Sequence, residues 1–251
     1  MYEVRLTLLD HASGERDEAT SYTGLREVSV TGGQLCLNGA PLYLRGVLDQ
    51  GYFPEGWYTA TTDEALRRDV ELTLAMGFNC ARKHQKAEDP RYLYWADKLG
   101  LMVWAEMPSG RVFSTELIES LTTEWMELIK RDRANPSIIA WVPFNESWGV
   151  WHQSERPEQR AFVDAVTSLT NALDNSRVVV GNDGWEYSSG DLWTLHLYNE
   201  DSDVSSRLAA LIEDPHSSVT NEFGGRGRVG ALPNADAVSY THLTLPTSQL
   251  V

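Results

Sequence analysis

Residues 137–149 read Ser137-Ile138-Ile139-Ala140-Trp141-Val142-Pro143-Phe144-Asn145-Glu146-Ser147-Trp148-Gly149. Ile138 to Val142 is a short apolar run, the pattern of a strand covered on both faces. Asn145 and Glu146 follow where that strand should end. In a barrel of parallel strands, catalytic groups sit at the C-terminal strand ends. A carboxyl group beside a tryptophan-rich wall is poorly solvated, which favours its protonated form and suits a general acid.

The segments on either side alternate between strand and helix patterns. Upstream, Leu42–Val47, Phe78–Arg82 and Leu101–Ala105 have strand character. Between them, Thr62-Asp63-Glu64 caps a helix with Leu66, Val70, Leu74 and Ala75 on one face, and Gly77 ends it. Pro90 opens a second helix, stopped by Gly100. A third is expected over Thr122–Asn135, through Trp125, Leu128 and Ile129. Downstream, Glu158–Leu173 is amphipathic, and Arg177–Val180, Leu192–Leu197 and Val219-Thr220 are strand-like, with a helix over Val204–Glu213. Seven strands in such alternation imply a parallel sheet covered by helices. No GxGxxG or Walker-type loop follows any strand, and polar or aromatic residues crowd the strand ends. A closed barrel is therefore favoured over an open sheet.

The ends of the chain differ from this middle. Tyr2–Leu9 alternates like a half-buried strand, Asp10–Glu18 is a polar turn, and Ser21–Val30 is strand-like again. These are expected to be the last strands of a β-sandwich, because two strands do not make a stable domain. The tail Ala237–Val251 has little helical periodicity and falls where a seventh helix and an eighth strand are due. It is read as a scar or read-through. The expected organisation is thus 1–33, C-terminal strands of an immunoglobulin-like β-sandwich; 34–236, a (β/α)8 TIM barrel truncated before its eighth strand; and 237–251, a tail of doubtful origin.

Composition narrows the function. Thirty-six acidic against 21 basic residues give a net charge of −15, which argues against nucleic-acid and anionic-membrane partners. No apolar run reaches membrane-spanning length. The N-terminus lacks a signal-peptide pattern, but the chain reads as starting inside a longer protein, so a soluble cytoplasmic or secreted location stays open. Nine Trp and ten Tyr are compatible with stacking on sugar rings, although core packing accounts for most of them. Cys36 and Cys80 have no metal-ligand spacing and are expected to be buried thiols. His84 and His196 form no H-x-H or H-x-x-x-H pair, so neither a metal nor a cofactor is expected. Oligomeric state is not legible.

Two carboxylates end the fourth and seventh strands: Glu146 and, in Thr220-Asn221-Glu222-Phe223-Gly224, Glu222. Across a barrel mouth such a pair meets the need of glycoside hydrolysis, one group protonating the leaving oxygen and one attacking the anomeric carbon. Arg82 and Tyr198, at the ends of strands two and six, are placed to keep Glu222 ionised. Arg82 is also a candidate barrel salt bridge with Glu106. Asp183 and Trp185, after strand five, are candidate sugar contacts. Trp148 and Trp151 either shape the leaving-group side or pack their loop. His84 lies in a basic run, Arg82-Lys83-His84-Gln85-Lys86, that fits either an acidic sugar or solvent.

Taken in order, these segments resemble glycoside hydrolase family 2, the family of β-galactosidases, β-glucuronidases and β-mannosidases. The resemblance rests on Leu44-Arg45-Gly46-Val47, Gly77-Phe78-Asn79 through Arg82, Leu99–Trp104, Asn135-Pro136-Ser137-Ile138, Asn145-Glu146-Ser147 and Glu222-Phe223-Gly224. It implies Glu146 as general acid/base, Glu222 as nucleophile, Asn145 as the partner of the sugar 2-hydroxyl, and Arg82, His196 and Tyr198 as the supporting shell. The family's N-terminal sugar-binding domain and its eighth barrel strand have no counterpart here. The implied activity is retaining, exo-acting hydrolysis of terminal β-linked sugars. A non-catalytic carbohydrate-binding barrel is the alternative.

Overall fold

The computed structural model describes residues 1–196 and the strand Val238–His242. The first two strands, β1 (Tyr2–Leu9) and β2 (Arg16–Thr23), form an antiparallel hairpin. Its turn is shorter than the sequence suggested. Asp10 Oδ1 accepts from the Ala12 N–H at 2.8 Å and closes the reversal by Glu15, so Arg16–Glu18 already pair with β1. The expected strand over 21–30 is divided in two. Gly24 passes against Pro136 too closely for any Cβ, and pairing resumes only at β3 (Val28–Thr31).

Strand β3 forms an antiparallel sheet with β4 (Gln34–Leu37) and the two-residue β5 (Ala40–Pro41). The apolar residues Val28 and Leu35 pack, with Leu44, against Cys80, Trp104, Ile139, Val142 and Val178. The β3–β4 hairpin therefore seals the floor of the barrel. The domain division read at residue 33 runs through its turn.

Five parallel strands follow in sequence order, β6 (Gly46–Asp49), β7 (Cys80–Lys83), β8 (Met102–Glu106), β9 (Ile138–Val142) and β10 (Val178–Val179). Between them run α1 (Asp63–Ala75), α2 (Pro90–Leu99), α3 (Thr115–Asp132) and α4 (Pro157–Leu173). The caps match the sequence: Thr62 Oγ1 accepts from the Ala65 N–H at 3.1 Å, and Gly100 takes a left-handed φ of 85°. Helix α3 starts seven residues earlier than expected, where Ser114 Oγ accepts from the Leu117 N–H at 3.2 Å. Strands β11 (Leu192–His196) and β12 (Val238–His242) pair in parallel, so part of the tail set apart in the sequence adopts strand structure. Val219-Thr220 and the expected helix over 204–213 lie outside the described residues.

Alternation along the strands decides which side chains reach the site. On β9, Trp141 points out and meets Trp125 of α3 edge-on at 5.7 Å, while Ala140 and Val142 join the interior. The two buried indole N–H groups are satisfied by Asp174 and Thr170. The same alternation sends Arg82 of β7 and Glu106 of β8 inward, above Cys80 and Trp104, and Lys83 outward between α1 and α2. Cys36 and Cys80 are free, buried thiols, and burial pushes Cys80 up to about 12.

Candidate active site

The site is built at the C-terminal strand ends around Arg82, which is 1% exposed. Its Nε donates to Glu106 Oε2 at 2.8 Å and lies 3.2 Å from Asp183 Oδ2. One terminal nitrogen donates to Asn145 Oδ1, and the other lies 3.0 Å from His196 Nε2. Strands β7, β8, β9, β10 and β11 thus meet on one planar donor fork, which presents five N–H groups in fixed directions. Burial works against the charge on Arg82, but Asp183, Glu106 and Glu146 outweigh it and hold its pKa above the ordinary value. The salt bridge to Glu106 is the one read from the sequence.

Glu146 stands on a turn tied to the neighbouring strand end. Its N–H donates to the Asp183 carbonyl at 2.8 Å, and the Asp183 N–H donates to the Phe144 carbonyl at 2.9 Å. Next to it, the Ser147 N–H donates to Asn182 Oδ1 at 2.9 Å. These bonds hold Glu146 and Ser147 at φ of 50° and 55°, the left-handed region. Such a conformation costs about 1–3 kcal/mol per non-glycine residue and persists where its surroundings over-determine it. The Glu146 side chain is partly exposed, and its Oε1 sits 2.7 Å from His196 Nδ1.

His196 is buried between Glu146, Asp183 and Arg82. Burial opposes its charge, but hydrogen bonding to Asp183 and Glu146 prevails and raises its pKa. In the neutral ring the proton belongs on Nδ1, facing Glu146, because an arginine N–H can only donate to Nε2. Glu106 is pushed up to about 7 by burial and by Asp183, against the pull of Arg82.

Two further histidine and tryptophan groups flank this centre. His84 Nε2 meets Asn145 Nδ2 at 3.2 Å, and its Nδ1 meets the Gln50 amide at 2.9 Å. Asn145 Oδ1 is taken by Arg82, so its Nδ2 must donate to Nε2. The His84 proton is then on Nδ1, which requires the Gln50 amide, whose Nε2 stands at that position, to be turned so that its oxygen accepts. Burial, then Arg82, lowers His84 to about 4, so it stays neutral. Trp148 and Trp151 stack edge to face at 4.3 Å, and Trp151 lies 5.9 Å from Trp185. The structure brings the candidates Asn145, Glu146, Arg82, Asp183, His84 and His196 together, and Trp148, Trp151 and Trp185 into one aromatic group. Glu222 and Tyr198 lie outside the described residues. Sequence reasoning missed Asn182, which fastens the Glu146 turn; the Gly181-Asn182-Asp183-Gly184 strand end was its only signal. Among the described residues, no group of three His, Cys, Asp or Glu is arranged to hold a metal ion, and no helix is long and apolar enough to cross a membrane.

Gly184 has φ +93°, and a Cβ there would stand 2.3 Å from the His196 ring. Gly184→Ala combines a strained backbone with a clash on the histidine. It is expected to destabilise the fold by about 1–3 kcal/mol and to move His196 off Glu146. Denaturant melts read the first effect, and the pH dependence of turnover reads the second.

Comparisons with known proteins agree with this architecture. The family model "Glycosyl hydrolases family 2, TIM barrel domain" matches residues 28–223, a span that includes Glu222. A β-galactosidase of Lactococcus lactis is 31% identical over 200 residues, covering 76% of this chain and 19% of that protein. One from Pseudoalteromonas haloplanktis is 30% identical over 193 residues, covering 69% and 18%. The chain thus spans about a fifth of the length of these relatives. Among solved structures, apo β-glucuronidase 3 of Bacteroides uniformis superposes with a TM-score of 0.74 at 24% identity, over 84% of this chain and 28% of that one. The Parabacteroides merdae β-glucuronidase gives 0.73 at 20% identity, with the same coverage. At these identities the structural likeness concerns the fold.

Proposed function

The chain belongs to glycosyl hydrolase family 2 through its TIM barrel domain, and on that premise we propose that the complete protein is a retaining, exo-acting β-glycosidase. Its substrates are carbohydrates with terminal β-linked sugars, such as galactosides or glucuronides. The observation that carries this reading is the fixed Asn145-Glu146 turn at the end of β9, with Glu146 Oε1 held 2.7 Å from His196. A carboxyl group with one oxygen so held, at the rim of a buried charge network, suits directed proton transfer.

In this mechanism Glu146 protonates the glycosidic oxygen while Glu222 attacks the anomeric carbon. Water, activated by Glu146 as base, then releases the sugar from Glu222. Asn145, oriented by Arg82 and His84, receives the 2-hydroxyl. The double displacement calls for carboxyl groups about 5–5.5 Å apart. Within the chain, the end of an immunoglobulin-like β-sandwich is proposed for the segment before the β3–β4 hairpin, and the catalytic barrel is proposed to begin with that hairpin.

The test is the first-formed anomer when the complete protein hydrolyses aryl β-galactosides, β-glucuronides and β-mannosides, followed by proton NMR. Appearance of the β anomer before mutarotation is expected. First appearance of the α anomer overturns the double displacement. Saccharide binding without turnover favours a non-catalytic barrel.

A further inference from the structure

Behind Arg82, on the outer face of β7 and in the loop that follows it, lies a network of buried charges that the mechanism does not use. Lys83 is 1% exposed, Glu88 5% and Lys86 6%. The Lys83 ammonium pairs with Asp49 and lies 2.6 Å from Glu88 Oε2, and Lys86 Nζ lies 3.2 Å from Glu88 Oε1. Tyr92 of α2 closes the network, its ring centre 4.1 Å from the Lys83 ammonium. Asp69 of α1 stands beside Asp49 and is pushed up to about 6 by burial and by that carboxylate. A buried ion network adds little stability over an apolar core of the same shape. What this one supplies is direction, because each donor and acceptor in it is held by the others.

Both ends of the network close on one residue. Gly51 donates its N–H to Asp49 Oδ1 at 2.7 Å, and its carbonyl accepts from the Lys86 ammonium at 2.8 Å. Its φ is +66°, and a Cβ there would run into the Lys86 ammonium and stand 2.8 Å from Glu88 Oε2. The two residues before this clamped glycine hold His84. The His84 backbone N–H donates to the Asp49 carbonyl at 2.9 Å, and its Nδ1 meets the Gln50 amide at 2.9 Å. Its other ring nitrogen meets Asn145 at 3.2 Å. The place of the imidazole against Asn145 is therefore set by Asp49 and Gln50, and theirs by the clamp on Gly51.

We propose that the Asp49–Lys83–Glu88–Lys86 network is a positioning device for His84. By fixing both backbone polar groups of Gly51 it sets Gln50 against the imidazole, and the imidazole against Asn145. Lys86 and Glu88 are thus positioning residues, buried behind the site and acting on it only through this chain of contacts. The effect on turnover rests on the glycosidase reading; the effect on His84 does not.

The variant that tests this is Gly51→Ala in the complete protein. It leaves every charge in place, and its clash falls on the free end of the flexible Lys86 side chain, which swings away. Lys86→Met opens the same clamp from the other side, and Gly51→Ala decides alone where Lys86→Met does not fold. Deuterium exchange at the imidazole carbons, followed across pH by mass spectrometry of the peptides, titrates each histidine separately. His84, held at about 4 by burial and then by Arg82, is expected to move up toward its ordinary 6.5 in both variants, as water reaches the loosened ring. His196, whose partners are Glu146, Asp183 and Arg82, is expected to stay where it is. An unmoved His84, or equal shifts of both histidines, overturns the proposal. The second readout is kcat/KM on an aryl β-glycoside and on its 2-deoxy counterpart. Their ratio is expected to fall about tenfold in Gly51→Ala, the scale of one misplaced hydrogen bond, because Asn145 serves only the 2-hydroxyl. Equal losses on both substrates overturn the link to Asn145. If the unaltered protein hydrolyses neither, the glycosidase reading alone is refuted, and the His84 titration still decides the role of the network.

Discussion

Glu146→Ala is expected to slow the hydrolysis of β-glycosides with poor leaving groups by about 10²–10⁴-fold, the range of a lost general acid. Activated aryl glycosides should behave differently, because their leaving groups depart without protonation. Glu222 would still be glycosylated, and the reaction would then stall, since no base remains to activate water. Azide needs no base, so it should restore turnover and give a β-glycosyl azide, with retained configuration. Glu222→Ala should fail in the opposite sense. No glycosyl-enzyme forms, and azide attacks from the vacated side to give the α product. The configuration of the two azide adducts is the measurement. If they are exchanged, the roles of Glu146 and Glu222 are exchanged as well.

Arg82→Met should have the largest effect on stability. It strands the buried carboxylates of Glu106 and Asp183 with the loss of their common cation. Removing one partner from a buried ion pair costs about 3–5 kcal/mol, a large share of the roughly 5–15 kcal/mol that holds a domain together. The loss has a pH signature. Stranded acids bind protons more readily in the folded than in the unfolded chain, so the variant gains from protonation at low pH. Its deficit should therefore widen as pH rises through about 7, where Glu106 ionises beside Arg82 but its stranded counterpart stays protonated. Urea melts at pH 5 and pH 8 test this, and an equal deficit at both would refute the charge accounting.

Much of the fold was legible because its strands are continuous apolar runs and its helices carry their own caps. Thr62, Pro90 and Gly100 each act on bonds within a few residues, so local sequence suffices to read them. The start of α3 was missed although Ser114 and the spacing Leu117, Leu121, Trp125, Leu128 were present in the chain. Division of the strand over 21–30 could not be read in the same way. It depends on Pro136, more than a hundred residues away, pressing on Gly24. The site divides similarly. Asn145, Glu146 and Arg82 announce themselves at strand ends. The contacts His196–Glu146 and His84–Asn145 exist only because the curving array of strands brings distant ends together, and the surroundings that shift those histidines follow from that packing.

The floor hairpin bears on how this module can be moved between proteins. A chimera joined at residue 34 would leave Val28 behind and open Trp104, Ile139 and Val178 to water from below, at about 25 cal/mol for each Å² of apolar surface uncovered. A crossover placed at 24–27 carries the stopper along with the vessel. The natural seam for recombination thus lies before the hairpin, in the short unpaired stretch where Arg26 clasps the carbonyls of Pro136 and Ile138.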